Sequence, residues 1–358
     1  MVYRGPWMTR VALLAPYAPP VPGGISTFVS GLSHILRQSG HDVSLFAGEG
    51  DGDESGHSNL GIRRGYVVRA VHGLKQVHPE VIHCHSHWYS LAAGVTYLRR
   101  NPGVRLVFSF HTTSMPIWRP PFVRLLSKAH IVTFVSAAQL SELRFALRLG
   151  GDLRILRPAT RIIPVDSAEA QRWANQHHLN GVFPILMFVG PLEYPRKVAG
   201  VIDLVRAFHE VRARYPDARL LIVGDGTLRP RVEAAAASLH DSVTVTGFMK
   251  DPRVALTHAD LYCHVSRQEG LPMSLLEAMS LGLCVIGSSV GGIPEVLDGS
   301  NGALVGSEPT AIAQTICDLL EDRPRRSRFS EAARLTVEHS YTWEARLPQI
   351  AEIYGLAG

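Results

Sequence analysis

Two carboxylates stand eight positions apart in Arg267-Gln268-Glu269-Gly270-Leu271-Pro272-Met273-Ser274-Leu275-Leu276-Glu277, Glu269 in a loop and Glu277 on the helix behind it. A loop running into a helix N-terminus offers backbone N–H groups that suit a diphosphate, and flanking carboxylates accept hydrogen bonds from sugar hydroxyls. A capping glutamate followed by an ordinary helix-surface glutamate would read the same way. Pro22-Gly23-Gly24-Ile25-Ser26-Thr27 is a second loop of this kind. Its paired glycines let amides approach an oxygen-rich ligand, although a plain tight turn before a helix looks no different. His83, His85 and His87 alternate, so an extended strand would put three imidazoles on one face as a candidate Zn2+ set. No carboxylate flanks them to complete a metal shell, and no metal site is expected. No GxGxxG follows the first apolar run, and Gly224-Asp225-Gly226 lacks the remaining glycine, which disfavours a nicotinamide or flavin enzyme.

Groups of this kind need elements that bring them together. RVALLA at Arg10–Ala15 has the length and apolar continuity of a buried parallel strand. Ile25, Phe28, Val29, Leu32, Ile35 and Leu36 then recur at helical spacing, with Gly40 placed to cap the helix, and Asp42–Phe46 is the next strand. The polar, Gly-rich stretch 47–61 reads as a mobile surface loop. Strands and helices alternate onward to Leu153–Leu156, and Phe183–Val189 opens a second α/β series that continues to a helix at Thr310–Glu321. The fold class expected is α/β, two doubly wound Rossmann-like domains facing across a cleft, with 1–163 as the first domain and 164–340 as the second. In that architecture ligands meet the residues that follow the strands.

The chain's 358 residues favour two domains, and 46% hydrophobic with 19% charged residues excludes disorder and coiled coil as the dominant class. The net charge of +5 is unevenly placed: residues 1–165 carry 18 Lys and Arg against 8 Asp and Glu, residues 166–358 carry 18 against 23. The basic half is suited to an anionic ligand or a membrane surface, or is simply a solvated face. Four dispersed cysteines and the lack of an apolar run of ~18 residues point to a reducing, cytoplasmic setting, with contact at the inner membrane face left open.

The stretch from Arg267 to Val305, containing EGLPMSLLEAMSLGLCVIGSSVGGIPEVLDGSNGALV, resembles the donor-site signature of glycosyltransferase family 4, retaining enzymes of the GT-B fold. The resemblance also takes in APPVPGGISTFVSGLSHILRQSGHDVSLFA, VIHCHSHW, FHTTS, VGPLEYPRK and RLLIVGDGTLRPRVE, in the family's order and over nearly the whole chain. It implies that Glu269 lies beside the donor sugar ring, that Glu277 holds the ribose hydroxyls, and that amides of Gly270, Leu271, Met273 and Ser274 meet sugar and phosphate. It further implies that Lys197 pairs with the diphosphate, that Gly23 and Gly24 face the donor, that Gly224 is part of the donor-binding set, and that His111 stands near the reacting carbon. Pro191 departs from the pattern, because the family has an arginine after that strand glycine; Arg196 is then the candidate replacement beside Lys197. RPAT at Arg157–Thr160 replaces a Pro-Asn-Gly turn. The resemblance also makes 341–358 a last helix crossing back to the first domain.

The activity implied is transfer of a sugar from a nucleotide diphosphate sugar, a uridine diphosphate sugar first, to an acceptor hydroxyl with retention. His111, Glu269 and Lys197 would serve the chemistry, with no cofactor and no essential metal. A nucleotide-sugar epimerase of the same architecture and a non-catalytic sugar-binding module remain alternatives. The expected acceptor is anionic, lipid-linked or a small metabolite; nucleic acid is not an expected partner, and the oligomeric state is open.

Overall fold

The computed structural model describes residues 8–51, 58–112 and 119–356. It divides into two compact units, the first taking the described residues up to Ala159 together with those from Trp343 onward, the second Thr160–Thr342. The first unit runs β1 (Arg10–Tyr17), α1 (Gly24–Gln38), β2 (Asp42–Glu49), α2 (Arg63–Val77), β3 (Val81–His85), α3 (Trp88–Leu98), β4 (Arg105–Phe110), α4 (Arg119–Leu126), β5 (Ile131–Phe134), α5 (Ala137–Leu147) and β6 (Asp152–Ile155). All neighbours in its six-stranded sheet are parallel, in the order β2-β1-β3-β4-β5-β6. Strands buried on both faces need continuous apolar runs, and Val11–Ala15 is buried throughout.

The second unit runs α6 (Ser167–Gln176), β7 (Ile185–Val189), α7 (Pro195–Arg214), β8 (Arg219–Val223), α8 (Arg229–Ala236), β9 (Val243–Gly247), α9 (Arg253–Leu256), β10 (Leu261–His264), α10 (Met273–Ser280), β11 (Val285–Ser288), β12 (Ala303–Val305), α11 (Pro309–Glu321) and α12 (Arg323–Ser340). Its parallel sheet has the order β12-β11-β10-β7-β8-β9. Each sheet is therefore doubly wound about its first strand, and the connections leave in opposite directions between β1 and β3 and between β7 and β10. In an open parallel sheet the crevice for a ligand lies at such a point, beyond the carboxyl ends of the strands.

Helix α1 ends as the glycine at position 40 requires. The amide of Gly40, at φ 88°, donates to the Arg37 carbonyl and that of His41 to Leu36, the pair of bonds that closes a helix through a left-handed residue. Helix α13 (Trp343–Tyr354) belongs to the first unit. Trp343 is 2% exposed, its ring meets Phe28 edge-on at 5.1 Å, and Arg105 Nε donates to the Ile353 carbonyl at 2.6 Å.

Two sequence expectations change. The loop read over 47–61 is shorter, because β2 continues to Glu49; residues 52–57 of it lie outside the described residues. Helices α2, α6 and α12 do not stand out in the sequence. Helix α12 is mostly polar, yet Phe329, Ala333 and Val337 form one buried stripe at four-residue spacing. Among the described residues no helix is long and apolar enough to cross a membrane.

Candidate functional site

In the second unit the candidate side chains gather after β7 and β10. Helix α7 begins with Pro195 at its first position, which lacks the N–H that a helix start leaves unpaired, and so projects Lys197 from its first turn. The helix lies close to the loop behind β10 because Gly200 carries no side chain: a Cβ there would stand 2.4 Å from Ser266 Cα. Arg267 fastens the same contact, donating from Nε and Nη2 to the two oxygens of buried Asp203 on α7 at 2.8 and 3.0 Å. The loop thus delivers Glu269 to Lys197, whose Nζ donates to Oε2 at 2.7 Å.

The Glu269 side chain is only 4% exposed, and its other oxygen, Oε1, lies 3.2 Å from His264 Nε2. Burial pushes this carboxyl up, but the Lys197 charge and the His264 hydrogen bond outweigh it and hold the group at about 2. An ionised carboxylate only accepts, so Nε2 of His264 carries the proton. Its Nδ1 lies 2.9 Å from the Tyr262 hydroxyl oxygen. That hydroxyl donates to Ser274 Oγ at 2.9 Å, and Ser274 Oγ donates to the Val189 carbonyl at the end of β7. Ser274 therefore stands at the foot of a polar chain that ends at Lys197.

Helix α10 starts at Met273 behind Pro272 with no side-chain cap, so its first amides are available to a ligand. Leu271 is buried against the core, and Gly270 accepts from the Gly292 amide at 2.6 Å. Glu277, one face further along α10, is ringed by protein although part of its surface reaches solvent. Burial pushes its carboxyl up to about 7, with Asp251 adding to the push and Arg253 opposing it. The two glutamates of the motif are thus a firm carboxylate and a group poised near neutrality. Arg196 is exposed and Pro191 leaves no side-chain donor in its place. Gly224 packs against the end of β7, since a Cβ there would collide with the Gly190 carbonyl oxygen.

In the first unit Gly23, at φ 131°, precedes the start of α1 at Gly24. His111 follows β4, partly exposed, with its ring edge-on to Phe28 at 4.6 Å and Nε2 3.0 Å from His85 Nδ1. His83 and His85 are fully buried on β3, while His87 lies past the strand end and precedes α3. The alternating trio is not a metal set, and among the described residues no three His, Cys, Asp or Glu side chains are placed to hold an ion. His83 instead bonds the Tyr354 and Ser109 hydroxyls at 2.8 and 2.6 Å. A shallow concavity lined by Asp260, Cys284, Arg323, Arg326 and Arg334 opens at the opposite, amino ends of β10 and β11 and touches none of these groups.

His264, Tyr262 and Asp203 were invisible to motif reading. The one available signal was periodicity, because a histidine and an aspartate at apolar positions of a buried strand and a helix imply partners.

Two family models match consecutive parts of the chain: Glycosyltransferase Family 4 over residues 22–181 and Glycosyl transferases group 1 over 183–322. Among curated proteins, the GDP-mannose-dependent alpha-(1-6)-phosphatidylinositol monomannoside mannosyltransferase of Mycolicibacterium smegmatis is 29% identical, covering 94% of this chain and 95% of that protein. The phosphatidyl-myo-inositol mannosyltransferase of Mycobacterium tuberculosis is 28% identical, covering 96% of each. Among solved structures, sucrose-phosphate synthase from Thermosynechococcus elongatus superposes with a TM-score of 0.79 at 23% identity, covering 97% of this chain and 98% of that one. Anabaena HepE in complex with UDP-glucose gives 0.77 at 19%, with 97% and 100% covered.

Proposed function

The chain belongs to glycosyltransferase family 4 and is a glycosyltransferase of the GT-B type, and on that premise we propose that it moves a hexose from a nucleotide diphosphate sugar to a hydroxyl of a lipid-linked acceptor, with retention and without an essential metal. The observation that carries this reading is the Lys197–Glu269 pair beside the uncapped start of α10, at the point where β7 and β10 part. The name of the Mycolicibacterium smegmatis relative puts GDP-mannose first as donor, and a uridine diphosphate sugar, expected from the sequence, stands second. The relatives' phosphatidylinositol acceptors and the basic surplus of residues 1–165 support an anionic lipid acceptor met at the cytoplasmic face of a membrane.

As the glycosidic bond opens, negative charge develops on the leaving diphosphate. Lys197 and the first amides of α10 meet that charge in place, which is where preorganised donors lower a barrier most. Glu269 is a poor nucleophile, since both its oxygens already face donors, Lys197 and His264. Its role is to accept hydrogen bonds from the sugar and fix the ring. Retention then follows from attack on the face the diphosphate leaves, with that diphosphate taking the acceptor proton. Glu277 accepts from the nucleotide ribose.

The test is transfer from GDP-mannose and from UDP-glucose to vesicles containing phosphatidylinositol, with and without EDTA, with the product's anomeric configuration read by NMR. Transfer from either donor that survives chelation and keeps the configuration is the expected result. An inverted product, or activity abolished by EDTA and restored by a divalent cation, would refute the corresponding part. Hydrolysis or epimerisation without transfer would refute the whole.

A further inference from the structure

The His85–His111 pair holds more information than its distance. Parallel pairing of β3 with β4 sets His85 opposite Ser109, so His111, just past the strand end, comes alongside it with 3.0 Å between His85 Nδ1 and His111 Nε2. One of these nitrogens must carry the proton. His85 is 0% exposed, and its second nitrogen, Nε2, has no hydrogen-bond partner among the described residues. Burial keeps both rings neutral at ordinary pH, drawing His85 down and His111 to about 3.

Two arrangements satisfy the short contact. If His111 donates from Nε2, neutral His85 must keep its proton on Nε2, which strands a buried N–H. If His85 donates from Nδ1, its Nε2 is a bare lone pair, and His111 is left with its proton on Nδ1. An orphaned buried N–H is rarer in folded proteins than an under-satisfied acceptor, because the lost hydrogen bond of a donor has no weaker substitute. The second arrangement wins.

We propose that His85 is a positioning residue that locks His111 as the Nδ1–H tautomer, so that His111 meets its substrate as a hydrogen-bond donor and has no free Nε2 lone pair to act as a base. The link to substrate rests on the glycosyltransferase reading above; the tautomer does not. A donor at that place suits a sugar or acceptor hydroxyl oxygen, and it leaves the acceptor's proton to another group.

The experiment is a two-bond 1H–15N correlation spectrum of the full chain labelled with 15N-histidine, the His111 signals being identified by their loss in His111→Gln. The wild type is expected to show His111 with Nδ1 protonated and Nε2 bare. His85→Asn, whose amide can donate from the place of Nδ1, keeps that pattern; His85→Asp, whose carboxylate can only accept there, draws a proton onto His111 Nε2. A wild-type His111 protonated on Nε2, or an unchanged pattern in a folded His85→Asp, overturns the proposal. If His85→Asp fails to fold, the wild-type spectrum decides alone. In the transfer assay His85→Leu lowers kcat by about tenfold, the worth of one neutral hydrogen bond, with the KM of the nucleotide sugar little changed, and His85→Asn recovers most of it. If no nucleotide sugar is turned over at all, the functional reading fails while the spectrum still settles the histidine pair.

Discussion

Replacing Lys197 with methionine should reverse the way acid acts on the second unit. In the native protein Glu269 sits at about 2 instead of its ordinary 4.5. At 1.36 kcal/mol per pH unit, this contributes about 3 kcal/mol of stability. The sign follows from the depressed value: the contribution is present above pH 4.5 and is lost as the pH falls through about 2. Lys197 is the strongest of the groups holding the carboxyl down, and burial pulls the other way. Without Lys197, burial, the largest single influence on this carboxyl, should outweigh what His264 supplies and lift the group above its ordinary value. Its contribution is then present below 4.5 and lost as the pH rises through the new value. The double variant Lys197→Met/Glu269→Gln removes the titrating group and provides the baseline. Denaturant titrations of the single and double variants at pH 4.5, 6 and 7.5 give the difference that isolates Glu269. It should move against the single variant as the pH rises, and the single variant should lose roughly 3 kcal/mol against wild type at pH 7.5, or roughly 6–12 °C in melting temperature. A Lys197→Met protein whose difference from the double variant is flat, or grows more favourable with pH, would refute the argument that burial outweighs His264 at Glu269 once Lys197 is gone.

Gly200→Ala should force α7 away from Ser266 and open the Lys197–Glu269 pair; thermal shift by GDP-mannose or UDP-glucose should fall at least several-fold in affinity terms, and an unchanged shift would show that the close approach is dispensable. Gly31→Ala places a Cβ 2.2 Å from Trp343 Nε1, so it should cost about 1–3 kcal/mol by displacing α13, measured by denaturant unfolding, and a neutral effect would mean the ring relocates freely. On the proposed reading Glu277, poised at about 7, would accept from both ribose hydroxyls at full strength only as the carboxylate. Nucleotide affinity measured by calorimetry should therefore rise between pH 6 and 8, and Glu277→Gln should flatten the profile while weakening binding.

The sequence by itself determined most of the order of strands and helices, the two-domain α/β class and which residues make up the motifs, because these rest on local physics. RVALLA can only be a buried strand in a soluble α/β chain, and Gly40 can only close the helix before it. Helix α2 escaped notice because its buried positions, Tyr66, Ala70, Gly73 and Leu74, include two small residues that carry little apolar signal, and α12 because charge surrounds its narrow stripe. The partners of the motif residues are another matter. Lys197 and Glu269 are joined across 72 positions by the absence of a side chain at Gly200 and by the Arg267–Asp203 clasp. His264 reads in the sequence as one polar residue in an apolar strand, and only the packing of β10 against β7 and α10 makes it the group that orients Glu269. The state of each glutamate was equally out of reach: one motif contains two identical side chains, and the surrounding charge and burial send one to about 2 and the other to about 7. Local spacing names the groups, whereas the free energy of a proton on them is a sum over neighbours brought together only by the tertiary fold.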